Sequence, residues 1–143
     1  MTRLKLSVSK IIMLSFFICA FIFGQLQSQA QPTLFGMTSA GGNQFGSIFG
    51  IPTGGTSLSS QYNFEGILGQ NPQYSNLIQA LNGKLYGMTG AGGANDGGVL
   101  FEYDAATNVY TKKFDFSYAN GAYPFGSLIQ ASNGKLYGMT SGG

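Results

Sequence analysis

The sequence predicts an all-β protein made of β-propeller-type blades, each of about four antiparallel strands, in an incomplete array behind an N-terminal signal peptide helix. Three observations predict it. Leu34-Phe-Gly-Met-Thr-Ser-Ala-Gly-Gly42 returns as Leu85-Tyr-Gly-Met-Thr-Gly-Ala-Gly-Gly93 and as Leu136-Tyr-Gly-Met-Thr-Ser-Gly-Gly143, a period of 51 residues. Within a period, runs of β-branched and aromatic residues alternate with clusters of Gly, Asn and Asp, the pattern of strands and turns. After Ala30 no stretch suggests a helix. A repeat of this length is one supersecondary unit whose apolar face its neighbours must bury.

The first segment, 1–30, has a basic start with Arg3, Lys5 and Lys10, an apolar run from Ile11 to Phe23 and a polar end. That order is a secretory signal peptide, and the run is shorter than the roughly 20 residues a membrane-spanning helix needs. Small side chains at Ser28 and Ala30 place the cleavage between Ala30 and Gln31. Cys19 reads as a small apolar residue of the signal core, and it leaves with the peptide. We therefore expect a secreted or surface-exposed product with no membrane span after cleavage.

Removal of the leader changes the charge. Three of the seven basic residues go and all five acids stay, so no basic surface remains for nucleic acid. No thiol remains either, which excludes disulfides and cysteine chemistry from the exported product.

Residues 31–143 then divide into repeat 1 (34–84), repeat 2 (85–135) and the start of repeat 3 (136–143). Repeat 2 is the clearest. Lys84 to Thr89 alternates Leu85, Gly87 and Thr89 on one face with Tyr86 and Met88 on the other, before the glycine-rich turn Gly90 to Gly98. Gly87 at mid-strand weakens a sheet unless another backbone comes close, which suggests the innermost strand of a blade. Val99 to Tyr103 places Val99, Phe101 and Tyr103 together, and Val109 to Phe116 returns as its hairpin partner across the turn Asp104 to Asn108. Ser127 to Ala131 is the fourth strand, leading through Asn133-Gly134 into the next repeat. Repeat 1 follows the same plan, with Ser47-Ile48-Phe49 and Pro72 each 52 residues before their counterparts, a one-residue shift that loops absorb.

Chemistry is sparse. Residues 31–143 contain no His, Cys or Arg, which removes the usual nucleophile–base pairs, zinc sites and arginine clamps. Glu102 and Asp104 share a strand face, the one spacing that suits a carboxylate pair in sugar cleavage; a solvated strand face and a turn cap explain them as well. Gly92 to Gly98 lacks the Lys-Ser/Thr of a phosphate loop, and as a calcium loop it offers only Asn95 and Asp96. We expect no catalytic residue, no cofactor and no metal. The aromatics are more suggestive, because exposed tyrosines stack on sugar rings or anchor protein partners. Asn95, Asp96, Tyr118 and Tyr123 are the candidate binding-loop residues, for a carbohydrate or protein ligand.

The combination Phe114-Asp-Phe, Asn120-Gly, Pro124-Phe-Gly-Ser-Leu-Ile-Gln and Asn133-Gly-Lys-Leu-Tyr-Gly-Met-Thr-Ser-Gly-Gly143 resembles the GloVer (Gloeo/Verruco) tandem repeat of secreted bacterial proteins, over nearly all of 34–143. Met37, Met88 and Met139 depart from the Gly-Thr-Thr expected there. The resemblance implies a secreted or surface-displayed propeller-like array, often ahead of a C-terminal sorting module, with no known reaction. A weaker similarity to Kelch repeats is opposed by the absence of Trp. Closing a propeller takes about 4 to 8 blades, so further repeats or a C-terminal sorting domain are expected in the full-length protein. The functional expectation is an exported binding or display module. A propeller-type carbohydrate-active enzyme and a purely structural surface repeat are the alternatives.

Overall fold

A computed structural model describes residues 32–143. The expected signal peptide helix and the cleavage site at Ala30 and Gln31 lie outside the described residues. The described chain is all-β, with antiparallel strands, one short 3-10 turn at Gly66–Leu68 and no α-helix among the described residues. Likewise, among these residues no helix is long and apolar enough to cross a membrane.

Strands β1 (Thr33–Thr38), β2 (Ser47–Pro52) and β3 (Ser59–Asn63) form the first sheet in that order. The second sheet runs β4 (Ile78–Gln79), β5 (Leu85–Thr89), β6 (Val99–Asp104) and β7 (Val109–Asp115), and β8 (Ile129–Gln130) pairs with β9 (Leu136–Tyr137) as a third. The strands expected of repeat 2 are all present. The fourth is shorter than expected and pairs forward with β9, so a sheet takes its first strand from the preceding repeat.

Local chemistry sets the turns. Between β4 and β5, Gly83 donates to the Ala80 carbonyl at 2.8 Å and lies at φ 81°, a left-handed position that closes the three-residue loop Leu81-Asn82-Gly83. Between β6 and β7, the Asp104 carboxylate accepts the Ala106 and Thr107 amides at 3.0 and 3.3 Å. Both sheets carry a bulge at equivalent points, between Ile48 and Phe49 and between Leu100 and Phe101.

Gly87 has a different cause from the one its sequence position suggests. β5 is an internal strand between β4 and β6, and no backbone crowds Gly87. The Phe101 ring lies across it from the paired strand, 2.6 Å from where a Cβ would stand. Gly36 and Phe49 repeat the arrangement at 2.5 Å in the first sheet.

The core lies between the first and second sheets. Ile48 and Phe64 meet Leu85, Val99, Phe101 and Tyr103, all buried, with Phe35, Met37, Tyr62 and Tyr110 packed around them. Tyr62 stacks on Tyr110 with ring centroids 4.0 Å apart, and Phe64 meets Phe101 edge to face at 5.4 Å. The far face of the second sheet, through Met88 and Leu100, lines a cavity of about 190 Å³ together with Leu136 of the third sheet and Leu128 just before it.

Candidate functional site

Antiparallel order brings the C-terminal end of β5, the N-terminal end of β6 and the C-terminal end of β7 to one edge of the sheet. The loop 90–98 and the loop 116–123 are therefore neighbours, and all four candidate loop residues lie in them. Tyr123 ties the two loops by donating its amide to the Gly97 carbonyl at 2.8 Å.

The loop end is stitched by a backbone ladder that recurs with the repeat. Gln70 and Ala91 exchange amide bonds at 3.0 and 3.2 Å, and Ala122 and Gly142 do the same at 2.7 and 2.9 Å. Gly90 donates to the Asn71 carbonyl as Ser141 donates to that of Tyr123, both at 3.0 Å. Each repeat is thus bonded to the next through loop backbone, which gives the glycine-rich segment 90–98 a fixed path instead of an open swing.

Asp96 is part of that frame. Its Oδ1 accepts the Gly92 amide at 2.8 Å and the Gln70 side-chain amide at 3.2 Å, from its own loop and from repeat 1. Asn95 is exposed beside it. Among the described residues no group of three or more His, Cys, Asp or Glu could hold a metal ion.

The aromatic pair is the exposed feature. Tyr118 is 70% exposed and meets the half-buried Tyr123 edge to face, with centroids 5.6 Å apart and hydroxyls at 3.4 Å. The Tyr118 hydroxyl bonded to that of Tyr123 raises the Tyr123 pKa. Tyr123 sits at φ 53°, a left-handed backbone that its counterpart in repeat 1, Asn71, adopts at 57°. Asn tolerates that region and a bulky aromatic does not, so the site holds its ring under backbone strain. The glycines Gly121, Gly142 and Gly143 lie alongside without side chains, Gly142 close to both rings.

Glu102 and Asp104, the carboxylates that share a strand face in sequence, are each engaged by other groups of the chain. Glu102 accepts Lys84 at 2.6 Å and Tyr86 at 2.7 Å, and Lys113 lies 3.7 Å away. The Lys84 and Tyr86 hydrogen bonds lower its pKa. Asp104 is engaged by its own turn.

Sequence reasoning missed Tyr74. It is exposed at φ 60°, meets Phe125 edge to face at 5.6 Å, and lines an open groove of about 490 Å³ with Met37, Ser39 and Pro72. Nothing in the surrounding Gln73-Tyr74-Ser75 marks it. Its proximity to Phe125, a repeat away, exists only once the sheets stack.

No curated protein and no solved structure matches the chain. The family model of the Gloeobacter/Verrucomicrobia repeat matches residues 20–143, which spans both stacked sheets, the recurring loop ladder and the start of the third repeat. The chain belongs to the Gloeobacter/Verrucomicrobia repeat family.

Proposed function

We propose that this chain is an exported binding and display module, without catalytic activity, whose stacked sheets are propeller-type blades of an incomplete array and whose loop end carries recognition. The observation that supports this most is the strained, exposed Tyr118–Tyr123 pair, held on a backbone ladder that fixes its position. Aromatic faces bind through stacking at low conformational cost, and a fixed frame removes the ordering penalty of a free loop. The low charge of residues 31–143 and the bare glycine strip beside the rings favour a neutral sugar chain over an ionic ligand.

Affinity electrophoresis in gels containing neutral polysaccharides tests the reading. At least one polysaccharide retards the protein, and Tyr118→Ala weakens that retardation at least about fivefold, since loss of an aromatic anchor costs about 1 kcal/mol or more. Equal migration in every gel, or retardation indifferent to Tyr118→Ala, would remove the loop end as a sugar site. Amino-terminal sequencing of secreted protein checks export, with Gln31 expected as the first residue.

A further inference from the structure

The chain contains three Asn-Gly pairs, Asn82-Gly83, Asn120-Gly121 and Asn133-Gly134. In such a pair the glycine nitrogen, with no side chain beside it, can attack the side-chain carbonyl carbon of the asparagine. Exposure does not separate the three, because each asparagine is at the surface. Nor does the side-chain oxygen, which accepts one backbone amide in every case: Lys84 at 3.1 Å, Lys135 at 3.0 Å and, for Asn120, Ser117 at 2.8 Å.

The glycine amide and the leaving nitrogen separate them. Gly83 and Gly134 donate to the Ala80 and Ala131 carbonyls at 2.8 and 2.9 Å, so each attacking nitrogen keeps its proton in a turn bond. Asn82 and Asn133 also donate Nδ2 to the Tyr86 and Tyr137 hydroxyls at 2.9 and 3.0 Å. Three bonds therefore hold each of these pairs. The Gly121 amide has no acceptor among the described residues, and Asn120 Nδ2 reaches the Asp115 carbonyl only at 3.4 Å, a weak bond. Gly69, the counterpart of Gly121 in repeat 1, donates to Gly66 within its own turn at 3.1 Å. The bond that Gly121 lacks is thus one that a turn makes with itself, so the difference lies within 117–121.

We propose that Asn120-Gly121 is a self-modifying site, at which the side-chain amide is exchanged for a carboxylate by water while the two hairpin pairs persist. The Gly121 nitrogen gives its proton to hydroxide and its electron pair forms a bond to Cγ of Asn120. The Cγ–Nδ2 bond breaks and the nitrogen leaves as ammonia, closing a five-membered imide. Water then opens the ring. Breaking the bond between the Gly121 nitrogen and Cγ gives aspartate; breaking its bond to the Asn120 main-chain carbonyl gives isoaspartate, with the chain routed through Cγ. Aspartate still accepts the Ser117 amide, now with charge assistance. Isoaspartate adds one carbon between Ser117 and Gly121, whose amide and carbonyl are bonded at 3.0 Å, and so loosens the turn between Tyr118 and Tyr123. The reaction does not depend on what the loop end binds.

Incubation of the full-length protein at mildly alkaline pH, followed by brief trypsin digestion and fragment mass spectrometry, tests this. Asn120 and Asn133 fall in one peptide, 114–135, where fragmentation tells them apart. Asn120 takes on the mass of aspartate at least about tenfold faster than Asn82 or Asn133, since fewer hydrogen bonds must open first. The conversion speeds up with pH, and an isoaspartyl methyltransferase labels the product at that position. In concentrated urea the three rates converge, because the hairpin bonds are gone. An Asn120 that stays intact, or converts no faster than the hairpin asparagines in the folded protein, overturns the proposal. A ranking that persists in urea overturns it too, because flanking residues and not the fold would then set the order.

Discussion

Gly87 and Phe101 make one residue-scale device. A glycine at mid-strand is unfavourable alone, yet here it is the space that a ring from the paired strand fills. Gly87→Ala would put a methyl 2.6 Å from the ring and force Phe101 off its position, at a cost of about 1–3 kcal/mol. Phe101→Leu alone leaves a partial void. Together the two changes relieve each other, so the double variant is less destabilised than the sum, by a coupling of about 0.5–3 kcal/mol. Urea denaturation of the four proteins gives the coupling directly, and strict additivity would mean that the ring does not dictate the glycine. The sequence marks Gly87 as unusual but names the wrong neighbour, because Phe101, fourteen residues further on, reaches it only through strand register. Tyr123 is a sharper case of the same limit. Nothing in Ala122-Tyr123-Pro124 announces a left-handed tyrosine, and only alignment with Asn71 in the folded repeat shows it.

At the scale of elements, Glu102 ties β6 to its two neighbours. Lys84 leads into β5 and Lys113 lies in β7, so one carboxylate bridges three strands on the outer face of the sheet. Its folded pKa lies below the ordinary 4.5, so its contribution is present above that value and is lost as pH falls through the folded pKa. Lys84 runs the other way. The Glu102 hydrogen bond raises it above 10.5, so its contribution is full below that value and is lost as pH rises through the folded pKa. Asp115 adds to the acid side: burial pushes it up, but the Lys112 ammonium and the Ala94 amide outweigh burial and lower it. Glu102→Gln should therefore flatten both limbs of a plot of urea midpoint against pH, leaving the Asp115 part of the acid limb. Unchanged limbs would show that the cluster is solvated and contributes nothing. The strands it links were legible from alternation and turn residues, since Val99, Phe101 and Tyr103 share a face only at period two. The short β4 and β8 were less so. Leu77-Ile-Gln-Ala has strand composition, but pairing is confined to two residues beside the turn.

For the whole molecule, the 51-residue period in the sequence carried the stacking, whereas the site emerged only in part. Asn95, Asp96, Tyr118 and Tyr123 do come to one end, as loops on the same side of antiparallel strands must. That Asp96 braces the frame, and that Tyr74 reaches Phe125, depends on contacts between repeats that no single repeat encodes. The same dependence governs stability. Among the described residues the first sheet packs one face, against the second, and Phe64, just after β3, is central to that contact, fully buried and in edge contact with Tyr62, Phe101 and Tyr110. Phe64→Ala costs about 3–5 kcal/mol, a large share of the roughly 5–15 kcal/mol typical of a whole domain. In a stack where each unit is held by its neighbour, that loss falls first on the first sheet, which among the described residues has a neighbour on one side. Hydrogen exchange in mild urea should find the amides of β1, β2 and β3 opening well before those of β5 and β6, which retain the Leu128 and Leu136 side. If the amides of both sheets lose protection in step, the two repeats fold as one indivisible unit, and stability here is not assembled repeat by repeat.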